Sequence, residues 1–252
     1  MSLEGKVVIV TGASSGIGAT TAEAFAKEGS KVVLVGRNEA NLKATEAACK
    51  AANSKGELLL ITADVTVDAE RIINTTIDRF GQLDVLINNA GVFKSGHILD
   101  IDVEQFDRIL NTNMRSIFIL TKIAAPHLIK TQGNIVNVSS VSGLCSVPRA
   151  SVYCTSKAAL DQFTRCCALD LAPQNVRVNS VNPGVIGTDI FRSGGFSTEK
   201  VHSFYERARN SQPLGRLGEP MEVADAIMFL ASNQSSFITG TTLSVDGGMR
   251  AS

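Results

Sequence analysis

Seven short runs rich in Val, Ile and Leu, each set apart from the next by helix-patterned sequence, constrain this chain more than any other feature. They are KVVIVTG (6–12), KVVLVGR (31–37), ELLLITADV (57–65), LDVLINNAG (83–91), NIVNVSS (134–140), VRVNSVNPG (176–184) and TTLSVDGG (241–248). None shows the apolar–polar alternation of a sheet wetted on one side, so they read as strands covered on both faces. Helical periods fill 16–29, 39–53, 68–80, 103–131, 151–172 and 220–231. Strand–helix alternation of this kind predicts a parallel, doubly wound sheet with right-handed crossovers. The expected fold is α/β: one Rossmann-like domain over 1–252, with seven parallel strands and helices on both faces. No linker, repeat or low-complexity segment divides it, and 44% hydrophobic residues suffice for its core.

One stretch breaks the rhythm. GTDIFRSGGFSTEKVHSFYERARNSQP, at 187–213, supplies no strand and at most a short helix, yet carries Phe191, Phe196, Phe204 and Tyr205. Long loops in compact domains are often lids, and the aromatics favour a substrate lid here.

Lys plus Arg total 24 and Asp plus Glu total 24, so no net basic field draws the chain to nucleic acid or anionic membrane. No stretch has the length of a membrane span, the N-terminal apolar run is too short for a secretory signal, and the final MRAS is not a peroxisomal address. Five cysteines, an odd number without ligand-like spacing, and three scattered histidines suggest buried or half-buried reduced thiols and no metal site. A cytoplasmic location is expected.

TGASSGIG (11–18) follows the first strand and opens the first helix. Glycines at 12, 16 and 18 let backbone N–H groups approach a pyrophosphate, and the helix N-terminus adds partial positive charge. A plain strand-to-helix turn would need only one glycine. Ser14, Ser15 and Ile17 belong to the same loop. The second strand ends LVGRN, with Gly36 where an acid could take a ribose 2′-hydroxyl, then Arg37 and Asn38. Arginine pairs with a 2′-phosphate, although a solvated surface arginine is common. The missing acid and present base favour NADP(H), with NAD(H) possible.

SVYCTSKAAL (151–160) places Tyr153, one of two tyrosines in the chain, four residues before Lys157. On a helix the two share a face. A free phenol has a pKa near ~10, and a nearby ammonium lowers it. Such a phenol could donate a proton to a developing alkoxide or remove one from an alcohol. Ser140, upstream, could hydrogen-bond the substrate oxygen. A half-buried Tyr and a snorkelling Lys on an ordinary helix is the bland alternative.

With NNAG (88–91), NTN (111–113), NVSS (137–140), YCTSK (153–157), NPG (182–184) and DGG (246–248), these pieces resemble the short-chain dehydrogenase/reductase family in motif order and spacing, almost end to end. The β-ketoacyl carrier-protein reductases are the similar branch. The resemblance implies Tyr153 as catalytic acid/base, Lys157 as its partner and holder of the nicotinamide ribose, Ser140 as carbonyl binder and Asn113 as keeper of a relay water. Ser139, Asn88 and Asp246 are expected to be structural. Asp64 and Val65 would frame the adenine, and Asn89, Ala90 and Gly91 the adenosine side. Pro183, Gly184, Ile186 and Thr188 would meet the nicotinamide. A looser helical turn is implied at Asn113, and Pro126 is expected to kink or end that helix.

The substrate pocket is expected from Ser140, Val141, Cys145, Val147, Tyr153, Phe191 and Phe196, with Leu144 and Ile186 adding apolar surface and Arg149 at the rim. An apolar ketone, aldehyde or secondary alcohol of steroid, isoprenoid, quinone or lipid character fits. The leading reading is an NADP(H)-dependent carbonyl reductase. Reduction of β-ketoacyl thioesters is a second, drawing on Arg165, Arg207, Arg209 and Arg216 as a docking surface. A nucleotide-binding regulatory or scaffold protein is the non-enzyme reading. A homotetramer is implied by the resemblance, and the apolar faces of 103–131 and 151–172 are compatible with it.

Overall fold

In a computed structural model that describes residues 3–52 and 56–251, all seven runs are strands of one sheet. They are β1 (Val7–Thr11), β2 (Lys31–Gly36), β3 (Leu58–Thr62), β4 (Val85–Asn88), β5 (Asn134–Val138), β6 (Arg177–Pro183) and β7 (Thr242–Val245), in spatial order β3-β2-β1-β4-β5-β6-β7. Every pairing is parallel.

The helices are α1 (Gly16–Lys27), α2 (Glu39–Ala51), α3 (Ala69–Phe80), α4 (Val103–Leu110), α5 (Ser116–Thr131), α6 (Ser151–Leu171), α7 (Ile190–Ser193), α8 (Thr198–Ser211) and α9 (Pro220–Ala231). Alternate residues of one strand go to opposite layers: Val8 and Val10 pack with Phe25, Leu42 and Ile227, whereas Val7 and Ile9 pack with Ile72, Leu120 and Leu128. Double burial explains the unbroken aliphatic runs. Strand order reverses between β1 and β4. In open α/β sheets the crevice beyond the carboxyl ends at such a switch binds ligand.

One expectation is narrowed and one fails. Of the two outcomes expected at Pro126, ending the helix does not occur: α5 runs on to Thr131 and stops at Gln132, which adopts a left-handed conformation (φ 50) before Gly133. The 187–213 stretch is not loop with at most a short helix, because α7 and the 14-residue α8 occupy it. Ser197 caps α8 by accepting from the Lys200 N–H at 3.3 Å, and Phe191, Phe204 and Tyr205 then cluster, with Phe191 and Phe204 centroids 4.6 Å apart. Tertiary aromatic packing stabilises a helix whose own polar sequence gives little signal.

Candidate active site

The glycine loop leaves β1 and turns into α1. Gly12 (φ 67) and Gly16 (φ 52) need the left-handed region. Gly18 is constrained differently: a Cβ there would lie 2.2 Å from the Gly12 carbonyl oxygen and 2.4 Å from the Asn89 amide nitrogen. Gly18 therefore packs the helix under the loop instead of lining the cleft. Ser15, at the N-cap of α1, makes no side-chain capping bond, so the first N–H groups of the helix are not taken by it.

Thr11 and Asn89 fasten this loop to the end of β4. The Thr11 hydroxyl accepts from Asn89 N–H at 2.9 Å and Ala90 N–H at 3.0 Å, while the Asn89 amide donates to Thr11 O at 2.8 Å. A cleft of about 510 Å³ runs past the loop, lined by Gly12, Ser14, Ser15, Gly16 and Ile17 and, across it, by Arg37, Asp64, Val65, Asn89, Ala90, Gly91 and Thr188. Its glycine cradle, uncapped helix start and length suit a dinucleotide. Asn38 is not in it: its side chain caps α2, accepting from Asn41 N–H at 3.0 Å. Arg37 stands 3.7 Å from the Asp64 carboxylate at the cleft's outer end.

A second cavity, of about 490 Å³, adjoins the cleft along Ile17, Asn89, Gly91, Phe93, Thr188 and Ile190. Ser140, Tyr153 and Lys157 face it, as do Val141, Val147, Phe191 and Phe196, with Pro183, Gly184 and Ile186 on the cleft side. Cys145 and Leu144 do not line it. Cys145 is exposed and its thiol donates to Val141 O at 3.2 Å, because the turn at Val141–Gly143 carries it outward. Cys166 is exposed too, so the expectation of buried or half-buried thiols holds only for Cys49, Cys154 and Cys167.

Tyr153 and Lys157 lie one turn apart on α6, with the ammonium 5.8 Å from the ring centroid and donating to Val138 O at 2.8 Å. Burial pushes the Tyr153 phenol up to about 12, against a hydrogen bond with Ser140 that lowers it. Burial pulls Lys157 down to about 8, against the raising influence of Asp161. Contrary to the lowering expected from a nearby ammonium, loss of solvent outweighs the neighbours of Tyr153, and the hydrogen bond with Ser140 opposes it.

Asn113 sits in a widened π turn, Asn111–Arg115, that joins α4 to α5. Such turns insert one extra residue and are frequent at functional sites. Its carbonyl oxygen accepts from Val92 N–H at 2.8 Å, and its amide donates to Val92 O at 2.9 Å and Ser156 Oγ at 3.1 Å. A Cβ on Gly91 would lie 3.4 Å from that Asn113 oxygen and 3.7 Å from Lys157 Nζ, so both side chains border Gly91.

The pattern of a family described as enoyl-(acyl carrier protein) reductase matches residues 12–250. A Caenorhabditis elegans protein solved with cofactor, a short-chain dehydrogenase/reductase of unknown function, superposes with a TM-score of 0.93 at 35% identity, over 100% of this chain and 97% of that one. The chain belongs to the short-chain dehydrogenase/reductase family. Meso-2,3-butanediol dehydrogenase of Serratia marcescens is 40% identical over 100% of this chain and 97% of its own. The 3-ketoacyl-(acyl-carrier-protein) reductase of Brucella melitensis, solved with NADH, has a TM-score of 0.89 at 34% identity, covering 98% and 99%. As a short-chain dehydrogenase/reductase, the chain is an oxidoreductase of a family that binds a nicotinamide cofactor.

This short-chain dehydrogenase/reductase has site residues that no sequence motif marked. Asp161, one turn beyond Lys157, is buried and accepts from Asn182 Nδ2 at 2.9 Å and Ser180 Oγ at 3.3 Å. Asn182 in turn donates to Ser140 O at 2.9 Å, which ties the end of β6 to the Ser140 turn. The repeat of Tyr153, Lys157 and Asp161 at four-residue steps was the available signal. Ser139 is buried and donates to Lys157 O at 3.3 Å. Asn88 lies in β4 and donates to Asn137 at 2.9 Å, while Asp246 accepts from Gly248 and Arg250 N–H in a turn. Phe93, edge-on to Tyr153 with centroids 5.1 Å apart, escaped sequence reading because a lone Phe after a strand resembles core.

Proposed function

We propose that this chain is an NADP(H)-dependent carbonyl reductase acting on apolar ketones or aldehydes of steroid-, isoprenoid- or lipid-like character. The observation that carries the reading is the seam between cleft and chamber, where Ser140, Tyr153 and Lys157 face a cavity walled by Val141, Val147, Phe93, Phe191 and Phe196.

The bound nicotinamide supplies the hydride. Ser140 donates a hydrogen bond to the substrate oxygen, and Tyr153 gives that oxygen its proton as negative charge develops. Lys157 contributes positive charge beside the phenol and a donor for the nucleotide ribose. Asn113 braces the loop at Val92 against α6 and stands at the relay position.

Support for NADP(H) comes from Arg37 at the cleft's end and from Gly36, where a Cβ would come within 3.2 Å of Ser14 and 3.3 Å of Leu42 and an acid would be crowded. The whole of 1–252 is read as one unit, with 187–213 as its lid and a location in the cytoplasm. Among the described residues no helix is long and apolar enough to cross a membrane. Exposed Val103, Phe106, Phe118 and Leu169 along α4–α6 support a homotetramer. Of the arginines named for the β-ketoacyl-thioester reading, Arg209 pairs with Glu206, Arg216 with Glu222, and Arg165 bonds to the neutral Gln162, while Arg207 forms no ion pair among the described residues. A ketone and aldehyde panel with NADPH, followed at the reduced-nicotinamide band, tests the proposal. Turnover of apolar carbonyls with a lower KM for NADPH than NADH is expected, and the opposite order of KM overturns the cofactor assignment.

A further inference from the structure

We infer that the substrate carries an anionic group, a carboxylate or a phosphate, at the end remote from its carbonyl, and that Lys200 and Arg207 of α8 receive it. The inference rests on the reductase reading above and specifies its substrate.

The chamber's charge is one-sided. Arg149, Lys157, Lys200 and Arg207 line it, and among the described residues no Asp or Glu does. A wholly neutral, apolar ligand gains nothing from cations at the mouth and takes water from them. Lys157 is already engaged with Val138 O, and Arg149 stands 3.7 Å from Asp100. Among the described residues the cations of α8 have no carboxylate partner.

Lys200, Phe204, Arg207 and Ala208 all line the chamber, and their spacing of four, seven and eight residues puts them on one helix face. The carboxylates of the same helix are held elsewhere: Glu206 pairs with Arg209, and Glu199 is held by its own backbone N–H and by Ser197. Arg207 donates to Ser203 Oγ at 2.9 Å, and among the described residues neither Lys200 nor Arg207 forms an ion pair. The Lys200 ammonium lies 4.2 Å from the Phe196 ring centroid, a cation–π contact that holds it against the aromatic wall. Phe196 neighbours Phe93 at 5.9 Å, and Phe93 neighbours Tyr153 at 5.1 Å. Phe93 and Phe196 thus form a continuous aromatic path between Tyr153 and Lys200, with Arg207 on the same face of α8 as Lys200. A ligand spanning that path has a carbonyl at one end, an apolar middle and a negative charge at the other.

The test compares a medium-chain oxo-carboxylate, its methyl ester and the same acyl chain as a coenzyme A thioester, each with NADPH. At low salt the acid or the thioester should exceed the ester in kcat/KM by about tenfold or more, the yield of one charge-assisted contact. Added salt should shrink the ratio, and the Lys200→Gln/Arg207→Gln double variant should bring it near one. The favoured anionic compound tells carboxylate from phosphate. Equal efficiency for all three in the unaltered protein, or a variant that lowers all three alike, overturns the inference. If none is turned over, the reductase reading fails, and calorimetry decides the anion site alone. There the unreactive alkanoate and its methyl ester are titrated into NADPH-loaded protein. A preference for the alkanoate that the double variant abolishes supports the site, and no preference overturns it.

Discussion

On the sheet side of the chamber, Asn113, Ser140, Lys157, Asp161 and Asn182 are all buried; the side chains of Asn113, Lys157, Asp161 and Asn182 bond to neighbouring strands or helices, and Ser140 is tied through its backbone carbonyl. On the lid side, Phe191, Phe196 and Phe204 touch mainly one another, and the Tyr205 hydroxyl anchors them through Thr188, donating to its carbonyl at 2.6 Å. The first wall is rigid because an unmet polar group in a dry interior costs about 1–3 kcal/mol. The second is held by non-directional apolar contacts, which tolerate rearrangement. In the proposed reductase the chemistry belongs to the wall held by hydrogen bonds, and the choice of substrate to the wall held by apolar contacts.

If that division is right, Tyr153→Phe should lower turnover by about a thousandfold, the scale of a lost general acid, with nucleotide affinity little changed in a fluorescence titration. Near-normal turnover would break the assignment of the rigid wall.

The next effect sharpens the cost of that wall. Lys157 titrates near 8 in the fold, against 10.5 when free. Between those values the unfolded chain binds more protons, so stability gained from this site rises with pH across the window. Relative to Lys157→Met, which lacks the titration, the native protein should gain on the order of 3 kcal/mol from pH 8 to 10.5 in urea unfolding. A constant difference would show that the lysine is not desolvated. The smallest effect is on the lid: Tyr205→Phe should cost about 1 kcal/mol, seen as a several-fold rise in KM with kcat nearly kept. A fall in kcat instead would mean that lid and catalytic wall are not separable.

Much of this was legible beforehand. β1, α1 and α9 stand close to where period and glycine placed them, since each meets the same partners through the whole sheet. The cleft residues from Gly12 to Ile17 and from Asn89 to Gly91 follow from the same loops. Asn38 and Cys145 were misplaced because a side chain next to a site in sequence was given to the site, when one caps α2 and the other is turned out by a short helical turn. The α8 helix was missed because it is polar on most sides and is held by ring contacts that no local pattern announces.

The order of strands and helices, the glycine cradle and the four-residue step from Tyr153 to Lys157 were written in the chain itself, because each depends on neighbours a few residues away. The acidity of Tyr153, the support of Lys157 by Asp161 and the one-sided charge of the chamber were decided only in three dimensions. They depend on which distant segments exclude water from a side chain, and desolvation has no signature in local sequence.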